Sequence, residues 1–544
     1  MGAGSLRAEG ARWAVATPHA LATEAGARAF GEGGNAADAA LAAAAVLAVV
    51  YPHQCGVGGD LFALVRDPDG KVVAINASGA APLGIDPEAF RAAGGGRMPD
   101  RGPLTITVPG APSGWAALHR HARLPFSRAF AEAIALAEEG VAVASSVGRS
   151  IERNLELILA DPGLAGVFAP SGRALRAGER LAQPALARTL RALAEGGADA
   201  FYRGEVGERL VAGLRARGSP IAPEDLRAHE AELDSALAAR YGDLDVLVAP
   251  PNSQGFVLLE ILLAIERLGI DPDPVGPDVA LLAEICRAAS IDRDRHNADP
   301  RWARVQLGNL LDEGHIAALC DEVRAVSSGV GPTGGPVAEG RNVAGGRTGP
   351  TGPADGDTVA VVAADADGWA VSLVQSLWSG WGAGILEPTT GILLHDRGNC
   401  FSLDPGSPNV LEPGKRPAHT LTPAFLAREG NLAAALGTRG GGGQPQILAQ
   451  LLARAVDLGM DPAEAIAAPR WLVHGMDVGR TDRHLLAESD APPAALAALE
   501  AAGFDLVRLP PRSEDVGHAH LILAAQAGSV AAADPRSDGA ASAG

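Results

Sequence analysis

Asp357 and Thr358 stand where a stretch rich in glycine and proline, residues 325–357, meets a strongly apolar segment. A threonine hydroxyl at such a junction can attack the preceding carbonyl and turn the peptide into an ester, and hydrolysis then leaves a chain that begins with Thr358. The free α-amine, whose ordinary pKa is about 7.7–8.0, can act as general base for the hydroxyl of the same residue. The junction therefore suggests a self-cleaving N-terminal nucleophile, while a β-branched residue at a strand start is the plain alternative.

A glycine run, Gly440–Gly443, lies within GTRGGGGQPQ at residues 437–446. Successive backbone N–H groups without side chains can converge on an oxyanion, which the tetrahedral intermediate of acyl transfer requires. The run lacks the lysine of a phosphate-binding loop, and an ordinary turn is the alternative. Taken together with Thr358, the run favours acyl-transfer chemistry.

A hairpin and several helices must position these residues. TVAVVAAD and WAVSLVQSLW read as strands around a turn at Asp365–Gly368, and LFALVRD and KVVAINAS read as two more strands. Within residues 21–50, the glycines of GEGGN separate two helices, and Asn35 can cap the second. Apolar spacing predicts further helices over Phe126–Glu139, Leu181–Glu195, Gly204–Ala216, Gln254–Leu268 and Gln446–Leu458.

The composition limits the possible partners. The chain has 544 residues, 47% of them hydrophobic, and a net charge of −19. This acidic balance repels phosphate, so neither nucleic acid nor a membrane is an expected partner. The N-terminal residues lack a continuous apolar signal sequence, and the longest apolar run, Ala36 to Val50, is too short to span a bilayer. We therefore expect a cytoplasmic protein.

The sequence predicts no metal and no cofactor. DRDRHNADP, residues 292–300, places acids near a histidine but lacks a metal-binding pair of histidines, so it is interpreted as a structural helix end. The amine of Thr358 supplies the base that catalysis needs. Four widely spaced cysteines without a C-x-x-C pair are interpreted as buried, reduced side chains: Cys55, Cys286, Cys320 and Cys400.

Several motifs together resemble the γ-glutamyltranspeptidase superfamily of N-terminal-nucleophile hydrolases. The longest is ATPHALATEAGARAFGEGGNAADAALAAAAVLAVVYPHQCGVGGDLFALV, near the N-terminus. It is followed in order by TVPGAPSGW, APPNSQGF, DRDRHNADP, DGDTVAVVAADADGWAVSLVQSL, GILLHDRGNCFSLDP, PGKRPAHTLTPAF and GTRGGGGQPQ. The match covers nearly the whole chain and leaves only the linker free.

The resemblance implies an α+β fold, a four-layer αββα sandwich built from both subunits of a self-cleaved proenzyme. It implies a large-subunit portion, residues 1–324, a flexible linker, residues 325–357, that ends at the cleavage site, and a small subunit, residues 358–544. It makes Thr358 the nucleophile and places the family's second hydroxyl on Ser376. The oxyanion-hole glycines fall on Gly440 and Gly441, or one residue later.

The family's substrate clamp is altered in this chain. Typical members hold the substrate α-carboxylate with an arginine where Ser78 stands, and the α-amine with an asparagine and an acid where Trp378 and Cys400 stand. Two serines beside the oxyanion correspond to His419 and Thr420. A buried charge without its partner is costly, so a γ-glutamyl group is expected to bind poorly unless other residues substitute.

The altered pattern resembles the γ-glutamyltransferase-like branch that includes oxamate amidohydrolase and some cephalosporin-type acylases. In that branch Arg397 is a candidate partner for a substrate carboxylate, with a structural salt bridge as the alternative. His419 either donates to a substrate carbonyl or is a structural residue. Trp378 either lines an apolar pocket or packs in the core.

The sequence thus predicts a γ-glutamyltransferase-like N-terminal-threonine amidohydrolase or acyltransferase that acts on γ-glutamyl or related amide bonds through an acyl-enzyme. An oxamate amidohydrolase or cephalosporin-type acylase with little γ-glutamyl activity is the alternative, and an unprocessed, non-catalytic homologue is a third interpretation. The expected partners are a small-molecule amide substrate and the two subunits of one precursor. The two subunits together could also assemble into a higher oligomer, which the sequence does not decide.

Overall fold

The computed structural model describes residues 5–92, 96–303, 305, 307–327, 356–525 and 528–544. The strands in chain order are β1 (Arg7–Gly10), β2 (Trp13–Thr17), β3 (Asp60–Arg66), β4 (Val72–Ala77), β5 (Val141–Ala142), β6 (Arg180–Leu181), β7 (Glu232–Ser235), β8 (Leu237–Tyr241), β9 (Leu244–Val248), β10 (Gly356–Asp365), β11 (Ala370–Ser379), β12 (Leu386–Glu387), β13 (Ile392–Leu393), β14 (Ala424–Arg428), β15 (Asn431–Thr438), β16 (Trp471–Val473), β17 (His484–Glu488), β18 (Asp505–Leu509), β19 (Ala519–Ala525), β20 (Gly528–Ala533) and β21 (Ala540–Ala543).

Two antiparallel sheets form the centre of the described structure. Sheet A has the order β1-β20-β19-β15-β14-β9-β8, and sheet B has the order β21-β2-β10-β11-β3-β4-β7. Strands from both sides of the predicted linker, residues 325–357, stand in each sheet. Neither predicted subunit therefore contains the whole of sheet A or of sheet B.

The helices cover the outer faces of the two sheets. In chain order they are α1 (Ala20–Gly31), α2 (Ala36–Val50), α3 (Pro87–Ala92), α4 (Ala111–His119), α5 (Ala131–Glu139), α6 (Ser145–Arg153), α7 (Leu155–Ala160), α8 (Pro162–Phe168), α9 (Pro184–Gly196), α10 (Asp199–Tyr202), α11 (Glu205–Arg215), α12 (Pro223–Arg227), α13 (Gly255–Leu268), α14 (Val279–His296), α15 (Leu307–Leu310), α16 (Glu313–Ser327), α17 (Gln444–Leu452), α18 (Pro462–Ala467) and α19 (Pro493–Ala501). Within the described ranges, no helix is both long and apolar enough to cross a bilayer.

The alternation of side chains along β10 explains the layering. Val359 and Val361 join the core that sheet B forms with α1, α2 and α5, whereas Ala360 and Val362 join the core between the two sheets. Successive residues of a strand face opposite sides, so both faces of this strand must be apolar. A separate core on the far side packs α13, α14 and α17 against sheet A. The predicted four-layer αββα sandwich is confirmed.

Local signals placed the early elements correctly. The side chain of Asn35 accepts hydrogen bonds from the first backbone N–H groups of α2, and Asp38 completes a capping box. The predicted strands after Gly59 are β3 and β4, which pair as a hairpin. The segment predicted as one helix over Phe126–Glu139 divides into a 3₁₀ turn, Phe126–Phe130, and α5.

The described residues cover only the edges of the predicted linker. Helix α16 continues to Ser327, past residue 325 where the linker was predicted to begin, and β10 starts at Gly356. Residues 328–355, the body of the linker, lie outside the described residues. The division of the chain at residues 324 and 357 stays a prediction.

Candidate active site

Thr358 lies at the start of β10, where the hairpin with β11 contains a bulge. Asp357 pairs with Trp378 and Thr358 pairs with Ser376, so Leu377 is the extra residue on β11. Thr358 is two residues before Ala360 on β10, and Ser376 is two residues after Val374 on β11. Ala360 and Val374 belong to the core between the sheets. The two hydroxyl side chains consequently share the inner face of sheet B.

The two hydroxyls and the peptide carbonyl between residues 357 and 358 form a short chain of hydrogen bonds. Thr358 Oγ1 donates to Ser376 Oγ at 3.1 Å, and Ser376 Oγ donates to the carbonyl oxygen of Asp357 at 2.6 Å. The backbone N–H of Trp378 donates to Ser376 Oγ at 2.8 Å and fixes the serine rotamer. Ser376 can therefore take the threonine proton while it polarises the carbonyl that the threonine attacks.

The glycine run follows β15 and leads into α17. Gly440 has φ 158° and Gly441 has φ 51°, and a Cβ on Gly441 would lie 2.5 Å from the carbonyl oxygen of Met476. The turn Gly441–Gly443 contacts β10, the strand of Thr358. Gly442 and Gly443 donate their N–H groups within the protein. The N–H groups of Gly440 and Gly441, the first of the two predicted registers, stay the predicted oxyanion donors.

Arg397 is a buried cation next to this region, in the 3₁₀ turn Arg397–Cys400. Its side chain is 1% exposed and stacks over the ring of Trp378, 4.2 Å from the centroid. Nη1 donates to Thr420 Oγ1 at 3.2 Å, whereas Nη2 is buried without a hydrogen-bond partner among the described residues. A buried guanidinium donor in this state favours an anionic ligand. Burial raises the pKa of the adjacent Cys400 thiol to about 11.

Trp378 has an unusual backbone conformation for a large side chain. Its φ is 76°, in the region that favours glycine, and the bulge of β11 imposes it. Its indole Nε1 donates to Asn399 Oδ1 at 2.6 Å, which holds the ring under Arg397. Trp378 thus packs against Arg397, and its place at a substrate site stays a prediction, while Trp381 is fully buried in the core.

His419 is fully buried, and both of its ring nitrogens are used within the protein. Nε2 donates to Asp60 at 3.1 Å, and Nδ1 accepts from the N–H of Leu421. Burial, reinforced by the charge of Arg397, lowers the pKa of His419 to about 3, so the ring is neutral. These bonds leave no spare N–H for a substrate, which favours the structural interpretation of this residue.

Asp60 lies close to two histidines, beside the strand that carries Ser376. It pairs with Ser376 across β3 and β11, bonds His419, and lies 3.4 Å from His395 Nδ1. Burial opposes the charge on Asp60, but the neighbouring imidazoles of His395 and His419 lower its pKa overall. Asp60 ends the CGVGGD stretch of the N-terminal motif. The local sequence did not predict this role, because the two histidines are distant in the chain.

A cavity opens beside these groups, with an empty volume of about 360 Å³ that includes its mouth. Thr420, Cys400 and Arg293 are among the residues that line it. Arg293 also donates to the carbonyl of Gly442 at 2.9 Å and so ties the cavity wall to the glycine run. Ser78 is buried in hydrogen bonds with Asn76 and Asn252 and lines a second cavity.

The fold and this site together define an N-terminal-nucleophile hydrolase. A family model described as Gamma-glutamyltranspeptidase matches residues 22–544. The chain belongs to the γ-glutamyltranspeptidase family, and it is an amide-bond hydrolase or acyltransferase of that family.

Two similar proteins are named as proenzymes, and a third similar protein is known from its crystal structure. The oxamate amidohydrolase proenzyme of Klebsiella pneumoniae is 38% identical over 96% of this chain and 97% of its own length. A glutathione hydrolase-like proenzyme of Bacillus subtilis is 36% identical over 98% of both chains. The crystal structure of a cephalosporin acylase from Bacillus halodurans superposes with a TM-score of 0.87 at 31% identity, over 99% of this chain and 97% of that one.

Proposed function

We propose that this chain cleaves itself between Asp357 and Thr358, and that the freed Thr358 then hydrolyses or transfers the acyl group of γ-glutamyl or related amides. The observation that supports this most directly is the hydrogen-bond chain from Thr358 through Ser376 to the carbonyl of Asp357. A shift of the Asp357 acyl group from nitrogen to oxygen needs both a proton acceptor and polarisation of that carbonyl, and Ser376 is placed to supply both.

After cleavage the same groups would run the catalytic cycle. The amine of Thr358 takes the proton of its own hydroxyl, and the hydroxyl oxygen attacks the substrate amide carbon. The N–H groups of Gly440 and Gly441 stabilise the oxyanion. The leaving amine takes the proton, and water or an acceptor amine then releases the acyl group from Thr358 Oγ1.

A second candidate is favoured by the residues around Arg397. The positions that grip an α-amine in typical members of the family hold Trp378 and Cys400, which offer no carboxylate. Arg397 still presents a buried donor for one carboxylate. We therefore propose that small amides with a carboxylate but no α-ammonium group, of which oxamate is an example, are turned over better than γ-glutamyl compounds.

Gel mobility together with an amide panel tests both proposals. Wild-type protein should give two bands, residues 1–357 and 358–544, while Thr358→Ala should give one. Ammonia release from oxamate should exceed release of p-nitroaniline from γ-glutamyl-p-nitroanilide, and Thr358→Ala should do neither. An active wild-type chain with residues 357 and 358 still joined would refute the mechanism. Strong γ-glutamyl turnover would refute only the substrate preference.

A further inference from the structure

Three helices on the outer face of sheet A bring two acids and a histidine together. Glu260 lies on α13, Asp292 on α14 and His315 on α16. One potential ligand atom from each lies within 4.8 Å of the others. His315 Nε2 is 2.7 Å from Asp292 Oδ2 and 3.8 Å from Glu260 Oε1. The sequence interpretation of DRDRHNADP as only a helix end did not anticipate this grouping, because the other two residues are remote in the chain.

The carboxylate of Glu260 is buried without a hydrogen bond from any described residue. The residue is 0% exposed, and neither of its carboxylate oxygens has a hydrogen-bond partner among the described residues. Burying such a group without a partner is costly, and proteins usually supply a donor, a water or an ion. Its Oε1 lies 3.8 Å from His315 Nε2 in the cluster with Asp292, so the missing partner would sit among the three side chains.

We propose that Glu260, Asp292 and His315 bind one divalent transition-metal ion of the Zn²⁺ or Mn²⁺ class. Two carboxylates and one imidazole are a donor set that suits these ions, and water can complete the coordination. Among the described residues, Arg295 is a competing cation: its Nη1 is 3.5 Å from Asp292 Oδ1, and its side chain is 59% exposed. An ion would therefore displace only a solvated side chain.

The position of the cluster gives such an ion a structural role. It would tie α16, whose last residues extend into the predicted linker, to α13 and α14. The residue after Asp292 is Arg293, which donates a hydrogen bond to the carbonyl of Gly442 in the glycine run. His315 is 27% exposed and offers the ion a path from solvent. The competing explanation is a protonated Glu260, because burial and the charge of Asp292 raise the pKa of this carboxyl.

Calorimetric titration of tag-free protein, stripped with a chelator and then dialysed, tests the site with Zn²⁺, Mn²⁺ and Co²⁺. We expect one equivalent of bound ion, a higher melting temperature on binding, and visible d–d bands from bound Co²⁺. The isosteric variant Glu260→Gln should weaken binding by about 10-fold or more. Glu266→Gln, on the same helix but outside the cluster, is the matched control and should keep the wild-type affinity.

Two results would overturn the proposal. One is the absence of stoichiometric binding for all three ions, with Glu260→Gln as stable as wild type, which is the outcome for a simply protonated carboxyl. The other is equal affinity in wild type and Glu260→Gln. Should that variant not fold, His315→Gln at the more exposed ligand serves instead, and unchanged affinity there would be equally decisive.

Discussion

The carboxylate of Asp357 forms a buried ion pair with the guanidinium of Arg439, with 2.8 Å between Oδ1 and Nη2. Asp357 supplies the carbonyl of the predicted scissile bond, and Arg439 immediately precedes Gly440. The pair therefore joins the residue that must be held during self-cleavage to the loop suited to stabilise an oxyanion. The Arg439 guanidinium also donates to the carbonyl of Glu514, which fixes it from the far side.

Removal of this ion pair should destabilise the precursor. In a Thr358→Ala background, which keeps the chain in one piece, Asp357→Asn should lower the free energy of unfolding by about 3 kcal/mol, because Arg439 stays buried without its counter-charge. Urea titration measures the difference. The matched control is Asp243→Asn, which breaks the solvent-exposed pair between Asp243 and Arg428 and should change stability little. Equal effects of the two substitutions would contradict the role assigned to the pair.

Loss of the Ser376 hydroxyl should slow self-cleavage. Ser376→Ala removes the donor to the Asp357 carbonyl and the acceptor for the Thr358 proton, so the processing rate should fall by about 10²–10³-fold. A time course of band conversion after cell-free synthesis measures it. Ser372→Ala on the same strand removes a buried hydroxyl that bonds Leu436, and it should process at close to the wild-type rate. Normal processing by Ser376→Ala would exclude the hydrogen-bond chain as the route.

Arg397 should select for substrates that carry a carboxylate. Arg397→Lys keeps a positive charge but loses the planar fork, so kcat/KM for oxamate should fall by about 10–100-fold. Turnover of oxamide, the neutral analogue, should change much less, since it has no carboxylate to lose. Steady-state ammonia release with both compounds gives the comparison. An equal loss for the two amides would mean that Arg397 is structural only.

His520 should make stability depend on pH. The ring is fully buried on β19, neither nitrogen has a hydrogen-bond partner among the described residues, and burial lowers its pKa to about 3. The unfolded chain binds a proton on this ring below about pH 6.5, whereas the folded chain does not until about pH 3, so stability falls as the pH falls between these values. Between pH 8 and pH 5 this one group should cost about 2 kcal/mol.

Unfolding of the unprocessed Thr358→Ala chain at pH 8 and pH 5 measures this contribution. His520→Phe should reduce the difference in stability between the two pH values. Ile522→Val on the same strand is the control, because it removes a methylene and no titrating group, and its cost should be the same at both pH values. An unchanged pH dependence in His520→Phe would show that the unfolding reaction does not protonate this ring.

Patterns that are local in the chain were sufficient for most of the elements. The glycines and Asn35 predicted the break between α1 and α2, and the turn residues predicted the hairpins β3/β4 and β10/β11. The four cysteines are free and buried, as predicted. The helix predicted over Gln446–Leu458 begins earlier, at Gln444, and its last turn is a π-helix, because the end of a helix depends on packing as well as on its own residues.

The sequence by itself determined the class of this protein. The motifs that indicate the family and the junction at Thr358 are each contiguous stretches, so they can be recognised without knowing how the chain folds. Only the tertiary structure decided which charged groups meet: Asp357 with Arg439, Asp60 with His395 and His419, and Glu260 with Asp292 and His315. These contacts join residues far apart in the chain. Their partners are set by how two sheets and their helices pack, which no local pattern specifies.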